Sequence, residues 1–269
     1  MTWRLLTIRP SHYNEKARWA LDHHELAYEE RPLMPMLHFP PVIAALLPRR
    51  AGRADRESTR FSTPALLTED RAITDSGEIV AFADERGDRG RALLGDPEAE
   101  ELARHFSGRF GADVRLCVYQ HILDRDELMN ELALRSVGST QARLFRLGLP
   151  AIRKGLRKRL GVEAARAERA LGRIEAEFAK VDARLADGRS FLCGDSFSVA
   201  DLSFAALASL SLLIQPQEGY GAWIPSIEQV GGEGAATARR LRATAAGAFA
   251  LRMFAEHRGR RQIPCTMGS

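Results

Sequence analysis

The sequence predicts a small α/β domain followed by a larger all-helical domain. Strand and helix signals alternate over residues 1–87, whereas beyond residue 97 the apolar residues recur almost entirely at helical spacing. The stretch GDRGRALLGDP between them is rich in Gly and Pro, as linkers are. We therefore expect domains at 1–87 and 97–269 joined by a linker at 88–96, since 269 residues suffice for two cores of moderate size.

The predicted α/β domain begins with a β-α-β unit, which a hairpin and a second helix follow. The segment NEKARWALDHH (14–24) predicts the first helix, because its apolar residues share one helical face. The other elements are assigned to TWRLLTI (2–8) and LAYEERPL (26–33) as strands, PALLTEDRAIT (64–74) as a hairpin and DSGEIVAFADE (75–85) as the second helix. Residues 34–62 form a long connection, and such loops are usually functional or mobile.

Two amphipathic patterns and one capping motif organise the predicted helical domain. One pattern extends from Pro97 to about Arg135. The other covers 163–186, where apolar residues alternate at spacings of three and four. Ser198 and Asp201 have the S-x-x-[DE] spacing of a capping box, which predicts the start of a buried helix rather than a catalytic site.

Cysteine use and hydropathy indicate a cytoplasmic protein without a metal site. Cys117, Cys193 and Cys265 are far apart, and the sequence has neither a CxxC motif nor a Cys/His cluster at metal-ligand spacing. The longest apolar stretch, ADLSFAALASLSLLI (200–214), is too short to cross a bilayer. The N-terminus MTWRLLTIRP lacks the apolar run of a signal peptide.

Three segments together resemble the glutathione transferase family. They are SHYNEKARWAL (11–21), STPALL (62–67) with TDSGEIVAF (74–82), and FLCGDSFSVADL (191–202), in the order of the family. The resemblance implies a thioredoxin-like N-terminal domain and an all-helical glutathione-transferase C-terminal domain. It also implies glutathione as co-substrate, a small electrophile bound between the domains, and a homodimer. The alternative is a non-catalytic binding or interaction module with this fold.

Ser11 corresponds to the family position that contacts the sulfur of glutathione, and is the expected catalytic residue. A thiol with a pKa of ~8.5 is mostly protonated at neutral pH. A helix N-terminus and a hydroxyl donor both favour the thiolate, which is the reactive nucleophile. Ser11 as a simple N-cap is the alternative, and the two roles are compatible. His12 or Tyr13 would take its place if the register were shifted, although Tyr13 reads better as a packing residue.

The residues Ser11 to Asn14 stand where redox relatives of this fold have C-x-x-C. Neither end of this tetrapeptide is a cysteine, so a mixed disulfide cannot form there. Thiol oxidoreduction is therefore excluded as the activity of this site. A serine hydrolase is also disfavoured, since no His and Asp partners are indicated for Ser11.

Four further residues are expected to bind glutathione. By resemblance, Thr63-Pro64 is an X-Pro step with a cis proline that presents the Thr63 backbone to the cysteinyl backbone of the ligand. Asp75 and Ser76 begin a helix, whose N–H groups and the Ser76 hydroxyl suit the γ-glutamyl carboxylate. Asp75 would face the amino group, although the family more often has a longer side chain there. The alternatives are a strand-edge proline and a helix cap without a ligand.

The glycine carboxylate of glutathione requires a cation or an amide, and the sequence leaves several candidates in the 34–62 connection. These are His38, Arg49, Arg50, Arg53, Arg56 and Arg60.

Residues 136–162 contain seven basic residues and no acidic one. An anionic membrane or a nucleic acid is one possible partner for this segment. Alternatively, the segment borders the cleft and attracts anionic substrates. We favour a solvated helix pair with an apolar underside, and expect no nucleic-acid or membrane partner.

Overall fold

The computed structural model describes residues 2–48, 50–51 and 61–258. Its N-terminal part contains one five-stranded sheet in the order β2-β1-β4-β5-β3. The strands are β1 (Trp3–Thr7), β2 (Tyr28–Pro32), β3 (Arg50–Ala51), β4 (Ala65–Leu67) and β5 (Arg71–Ile73). Strand β1 is parallel to β2 and antiparallel to β4, which is antiparallel to β5. Strand β3 adds to the edge, parallel to β5.

Three helices accompany the sheet: α1 (His12–His23), α2 (Phe39–Leu46) and α3 (Ser76–Arg86). The prediction of two strands, a hairpin and two helices is confirmed. Helix α2, with the largely apolar sequence FPPVIAAL, lies within the 34–62 connection. The face of α1 expected to be apolar is buried at Ala17, Ala20 and Leu21. The resulting βαβ unit followed by ββα is the thioredoxin-like arrangement implied by the resemblance.

The rest of the described chain is helical. Its helices are α4 (Pro97–His105), α5 (Gly111–Ile122), α6 (Asp126–Ser136), α7 (Ser139–Leu160), α8 (Ala164–Leu185), α9 (Val199–Ala208), α10 (Ile227–Val230), α11 (Gly232–Arg242) and α12 (Ala245–Met253). Two π-helical segments occur at Phe106–Phe110 and Phe254–Arg258. No helix of the described ranges combines the length and apolar character needed to cross a membrane.

The expectation of one pattern from Pro97 to about Arg135 is wrong as a single helix. A π segment separates α4 from α5, and Gly108 inside it has a non-helical ψ of -120°. The chain turns again after Ile122, where the Leu123 carbonyl accepts from Arg153 Nε at 2.8 Å. Amphipathic spacing continues across such breaks, so periodicity alone did not reveal them.

The capping motif before α9 is present as predicted. The Ser198 N–H donates to Asp201 Oδ2 at 2.8 Å, and the Leu192 N–H donates to the other carboxylate oxygen at 2.7 Å. Asp201 is fully buried, and burial raises its pKa. The motif thus fixes both the start of a buried helix and the loop that leads to it.

The basic segment contains all of α7, which packs against α6, so the expected helix pair is in fact one helix. The expected apolar underside is present and is buried at Phe145, Leu149, Ile152 and Leu156. Arg157 donates to Asp124 at 2.5 and 2.7 Å. Part of the positive charge is therefore paired within the chain.

Helix α1 contains a buried ion-pair network. Glu15 and Arg18 are fully buried, and Arg18 donates to Glu15 at 2.5 Å and to Glu30 of β2 at 2.9 Å. Arg258, the last described residue, donates from Nε to the second oxygen of Glu15 at 2.6 Å. Burial alone would raise the pKa of Glu15, but Arg258 and Arg18 outweigh it and hold this pKa below its usual value.

The network also reaches the loop before α1. Arg18 donates to the carbonyl of Arg9 at 2.9 Å, and the Tyr220 hydroxyl donates to the carbonyl of Pro10 at 3.0 Å. Two successive carbonyls are thereby held by side chains from outside the loop. The position of the next residue, Ser11, is thus fixed by the body of the protein.

We expect Glu15→Gln to lower the free energy of unfolding by about 3 kcal/mol, because it removes the charge that Arg18 and Arg258 share. Each guanidinium keeps one other carboxylate, Glu30 for Arg18 and Asp22 for Arg258. Urea unfolding at neutral pH measures the change. The matched control is Glu175→Gln, which removes a half-exposed ion pair with Arg240 and should cost less than about 1 kcal/mol. A similarly small loss for both variants would contradict the importance of the network.

The same comparison has an expected pH dependence. Because the folded-state pKa of Glu15 is below its ordinary value of 4.5, its contribution is fully present above that value. The contribution is lost as the pH falls through the lower folded-state pKa. The stability difference between the wild-type protein and Glu15→Gln should therefore shrink below pH 4.5, as unfolding at stepped acidic pH would show.

Candidate functional site

A cleft of about 1210 Å³ separates the sheet-bearing part from the helical part and contains all five predicted site residues. Those residues are Ser11, Thr63, Pro64, Asp75 and Ser76. The start of α1, the entry to β4 and the start of α3 form one wall. Side chains of α4, α5, α6 and α7 line the other.

Ser11 is the residue at the N-terminal boundary of α1. Its N–H donates to the carbonyl of Ile8 at 2.9 Å, and its carbonyl accepts from the Glu15 N–H at 2.9 Å. Its side chain, however, forms no capping hydrogen bond. Backbone geometry thus places Ser11 at the helix start, whereas the hydroxyl is not used to satisfy the first turn.

His12 and Tyr13 are engaged elsewhere. The buried His12 ring bonds through Nε2 to the carbonyl of Gly111 at 2.8 Å. Burial is the main reason that its pKa falls to about 3, so the ring is neutral at physiological pH. The Tyr13 hydroxyl donates to the carbonyl of Ser107 at 2.9 Å. Both side chains connect α1 to the helical part through hydrogen bonds. The Ser11 hydroxyl makes no such hydrogen bond.

The Thr63–Pro64 peptide bond is cis, as the resemblance implies. None of the described loop and turn hydrogen bonds between backbone groups involves Thr63. Its side chain accepts from Asn14 Nδ2 at 3.4 Å, which connects this step to α1. The Thr63 backbone therefore borders the cleft close to the first turn of α1.

Asp75 is the N-cap of α3. One carboxylate oxygen accepts from the N–H groups of Gly77 at 2.7 Å and Glu78 at 3.1 Å. Asp75 therefore acts as a helix cap through that oxygen, which is the alternative role that the sequence left open for it. Ser76 is the first residue of the helix and is nearly fully buried at the edge of the cleft.

Among the candidates of the 34–62 connection, the structure places His38 in the cleft. Burial, with a contribution from the charge of Arg159, lowers the pKa of His38 to about 4, so its ring is neutral at pH 7. Arg159 of α7 lies over the Phe39 ring at 4.9 Å. Arg49, Arg53, Arg56 and Arg60 lie outside the described residues, and the side chain of Arg50 is likewise not described.

Lys16 is a cleft residue that sequence reasoning missed. It is 2% exposed and donates to Ser107 Oγ at 2.8 Å. Burial lowers its pKa to about 8, and the charge of Asp75 partly offsets that effect. The one indication in the sequence was that Lys16 follows His12 by four residues, so that both side chains lie on the same face of α1.

The described ranges contain no cluster of three or more His, Cys, Asp or Glu side chains that could hold a metal ion. Cys117 is half-buried, and burial is the main reason that its pKa rises to about 12. A thiol with such a pKa is a poor nucleophile.

Two family models match the chain. The glutathione S-transferase N-terminal domain matches residues 10–86, and the C-terminal domain of the same family matches residues 164–223. The chain belongs to the glutathione S-transferase family. Helices α6 and α7 lie between the two matched segments. No curated protein matches the sequence at a significant level.

Solved glutathione S-transferases share the fold. One from Ceriporiopsis subvermispora, in complex with glutathione, has a TM-score of 0.57 and 13% identity, over 98% of this chain and 100% of that chain. One from Methylobacterium radiotolerans, with glutathione sulfonate, has a TM-score of 0.50 and 18% identity, over 93% and 95%. The β-etherase LigF from Sphingobium sp. has a TM-score of 0.52 and 16% identity, over 94% and 99%.

In this member of the family, we expect Asp75→Ala to destabilise the fold by about 1 kcal/mol, because two N–H groups at the start of α3 lose their acceptor. Asp75→Asn should cost much less, since the amide oxygen still accepts from the helix. Thermal or urea unfolding of the two variants measures the difference. Equal losses would mean that the charge of Asp75, rather than the cap, stabilises this site.

Proposed function

We propose that the protein is a glutathione transferase of the serine type, which stabilises the thiolate of glutathione for attack on a small electrophile. The observation that carries the proposal is the convergence of three elements on one cleft. They are a helix start whose serine hydroxyl is not used as a cap, a cis X-Pro step, and a second helix start. The glutathione complexes of fold relatives support glutathione as the co-substrate.

The cleft provides complementary groups for each part of glutathione. The Thr63 backbone would pair with the cysteinyl backbone as a short added strand. The Ser76 hydroxyl and the first N–H groups of α3 would receive the γ-glutamyl carboxylate, with Asp75 facing the amino group. The one N–H of the neutral His38 ring is engaged by the Met34 carbonyl, so Arg159 would pair with the glycine carboxylate and supply both the donor and the positive charge.

Ser11 would activate a nucleophile without being one. Its hydroxyl would donate to the glutathione sulfur, and the unsatisfied N–H groups of the first turn of α1 would add partial positive charge. Both interactions favour the ionised thiol. The neutral His12 ring cannot add a cationic charge of its own there.

The reaction would form a carbon–sulfur bond at the electrophile. In a substitution, the sulfur attacks carbon, the bond to the leaving group breaks, and the leaving group departs with its electron pair. The thiol proton passes to solvent when the thiolate forms. A homodimer and a cytoplasmic location accompany this proposal as predictions from the resemblance.

We expect Ser11→Ala to reduce kcat/KM for glutathione conjugation of 1-chloro-2,4-dinitrobenzene roughly tenfold to a hundredfold, the value of a hydrogen bond to a charged group. The pKa of the bound thiol should rise by about one to two units for the same reason. The pH profile of kcat/KM and the ultraviolet absorbance of the bound thiolate measure these changes.

Ser11→Thr, which keeps a hydroxyl, is the matched control and should retain much of the rate. A Ser11→Ala variant with the full conjugation rate and an unchanged thiol pKa would refute the proposed role. Retention of the wild-type protein on immobilised glutathione without turnover would indicate the non-catalytic binding module.

A further inference from the structure

Arg115 lies in the helical wall of the cleft, in the first half of α5. Its guanidinium lies 5.7 Å from the centre of the Tyr13 ring, a side chain two residues after Ser11. Ala112 and Tyr119 also line the cleft and fall on the same helical face. Arg115 therefore brings a positive charge next to the segment that carries Ser11.

Arg115 has no carboxylate partner among the described residues. Its Nε is buried without a hydrogen-bond partner. The nearest acidic residue in the sequence, Asp113, gives its two oxygens to Arg173 at 2.7 and 2.7 Å. A cleft-lining guanidinium whose charge no carboxylate of the described residues balances favours an anionic ligand at this position.

The helical wall that carries Arg115 also presents apolar side chains to the cleft. The same wall of the cleft includes Val118 and Ile122 of α5, Leu132 of α6, and Leu156 and Leu160 of α7. Helices α6 and α7 lie outside both segments matched by the family models. The wall proposed to face the electrophile is thus built from helices outside the matched segments, α5 among them.

We propose that the electrophile has an apolar body carrying one anionic group, such as a carboxylate, which pairs with Arg115. The apolar body packs against α5, α6 and α7. This inference rests on the proposed function, because it names the substrate class of the same cleft. The proposed function already assigns the carboxylates of glutathione to the start of α3 and to Arg159, which leaves Arg115 for the second substrate.

A matched pair of aryl chlorides tests the inference. In 4-chloro-3,5-dinitrobenzoate and 4-chloro-3,5-dinitrobenzamide the sulfur forms a bond to the same ring carbon and chloride leaves, but only the first compound is anionic. After division by the uncatalysed rates, kcat/KM should be at least about tenfold higher for the benzoate. In Arg115→Gln the ratio should fall to about one, and Arg115→Lys should restore part of it.

Arg109→Gln is the charge-matched control, because the Arg109 side chain is 75% exposed and is not among the cleft-lining residues. It should keep the wild-type preference for the benzoate. An equal rate for the two compounds in the wild-type protein would overturn the inference. A preference that survives in Arg115→Gln would also overturn it, as would a rise in the glutathione KM that affects both compounds alike.

Binding of unreactive analogues separates this inference from the proposed function. Isothermal titration of 3,5-dinitrobenzoate and 3,5-dinitrobenzamide in saturating glutathione should show the same Arg115-dependent preference. Such a preference without conjugation of either chloride would refute the transferase activity and leave the anion site standing. Conjugation of both chlorides without any binding preference would support the transferase activity and refute the anion site at Arg115.

Discussion

The placement of Glu15 between two buried guanidinium groups is the constraint on which the rest of the structure depends. A buried charge without a partner costs several kcal/mol, and Glu15 is the carboxylate that joins Arg18 and Arg258 into one network. They belong to the first helix and to the end of the described chain. The network therefore links the C-terminal π segment to the first helix and makes that segment part of the scaffold of the cleft.

This constraint extends to the proposed chemistry through three consecutive carbonyls. Those of Ile8, Arg9 and Pro10 accept hydrogen bonds from the Ser11 N–H, from Arg18 and from Tyr220. A helix start whose backbone is held in this way need not reorganise when charge develops on a sulfur, which is the main advantage of a preorganised site. The opposite wall is built by α5, α6 and α7 instead. One wall is thus tied to the buried network, and the other is supplied by separate helices that are suited to selecting the second substrate.

The sequence predicted the elements whose causes are local. The hairpin, the face of α1 and the capping box of Ser198 and Asp201 each depend on residues a few positions apart, and the five site residues indeed line one cleft. The sequence could not predict contacts between distant residues, such as Arg258 with Glu15, because no local pattern encodes them. Arg115 was missed for the same reason, since a single arginine in an amphipathic helix reads as solvated until its neighbours are known. The break between α5 and α6 was missed because the amphipathic spacing continues across it.

The electrostatics of the cleft indicate which groups can stabilise a thiolate. His12 directly follows Ser11, but burial keeps its ring neutral. It therefore does not supply a positive charge to stabilise the thiolate. Lys16 has a pKa of about 8 and keeps most of its charge at neutral pH, but it lies near Asp75 and bonds to Ser107. The charge of Lys16 is therefore compensated by Asp75 at the start of α3 rather than directed at the sulfur. Arg115 is a further cation beside the segment that carries Ser11, and we assign it to the second substrate. The groups proposed to lower the thiol pKa are the Ser11 hydroxyl and the first turn of α1, and neither changes its charge over the physiological pH range.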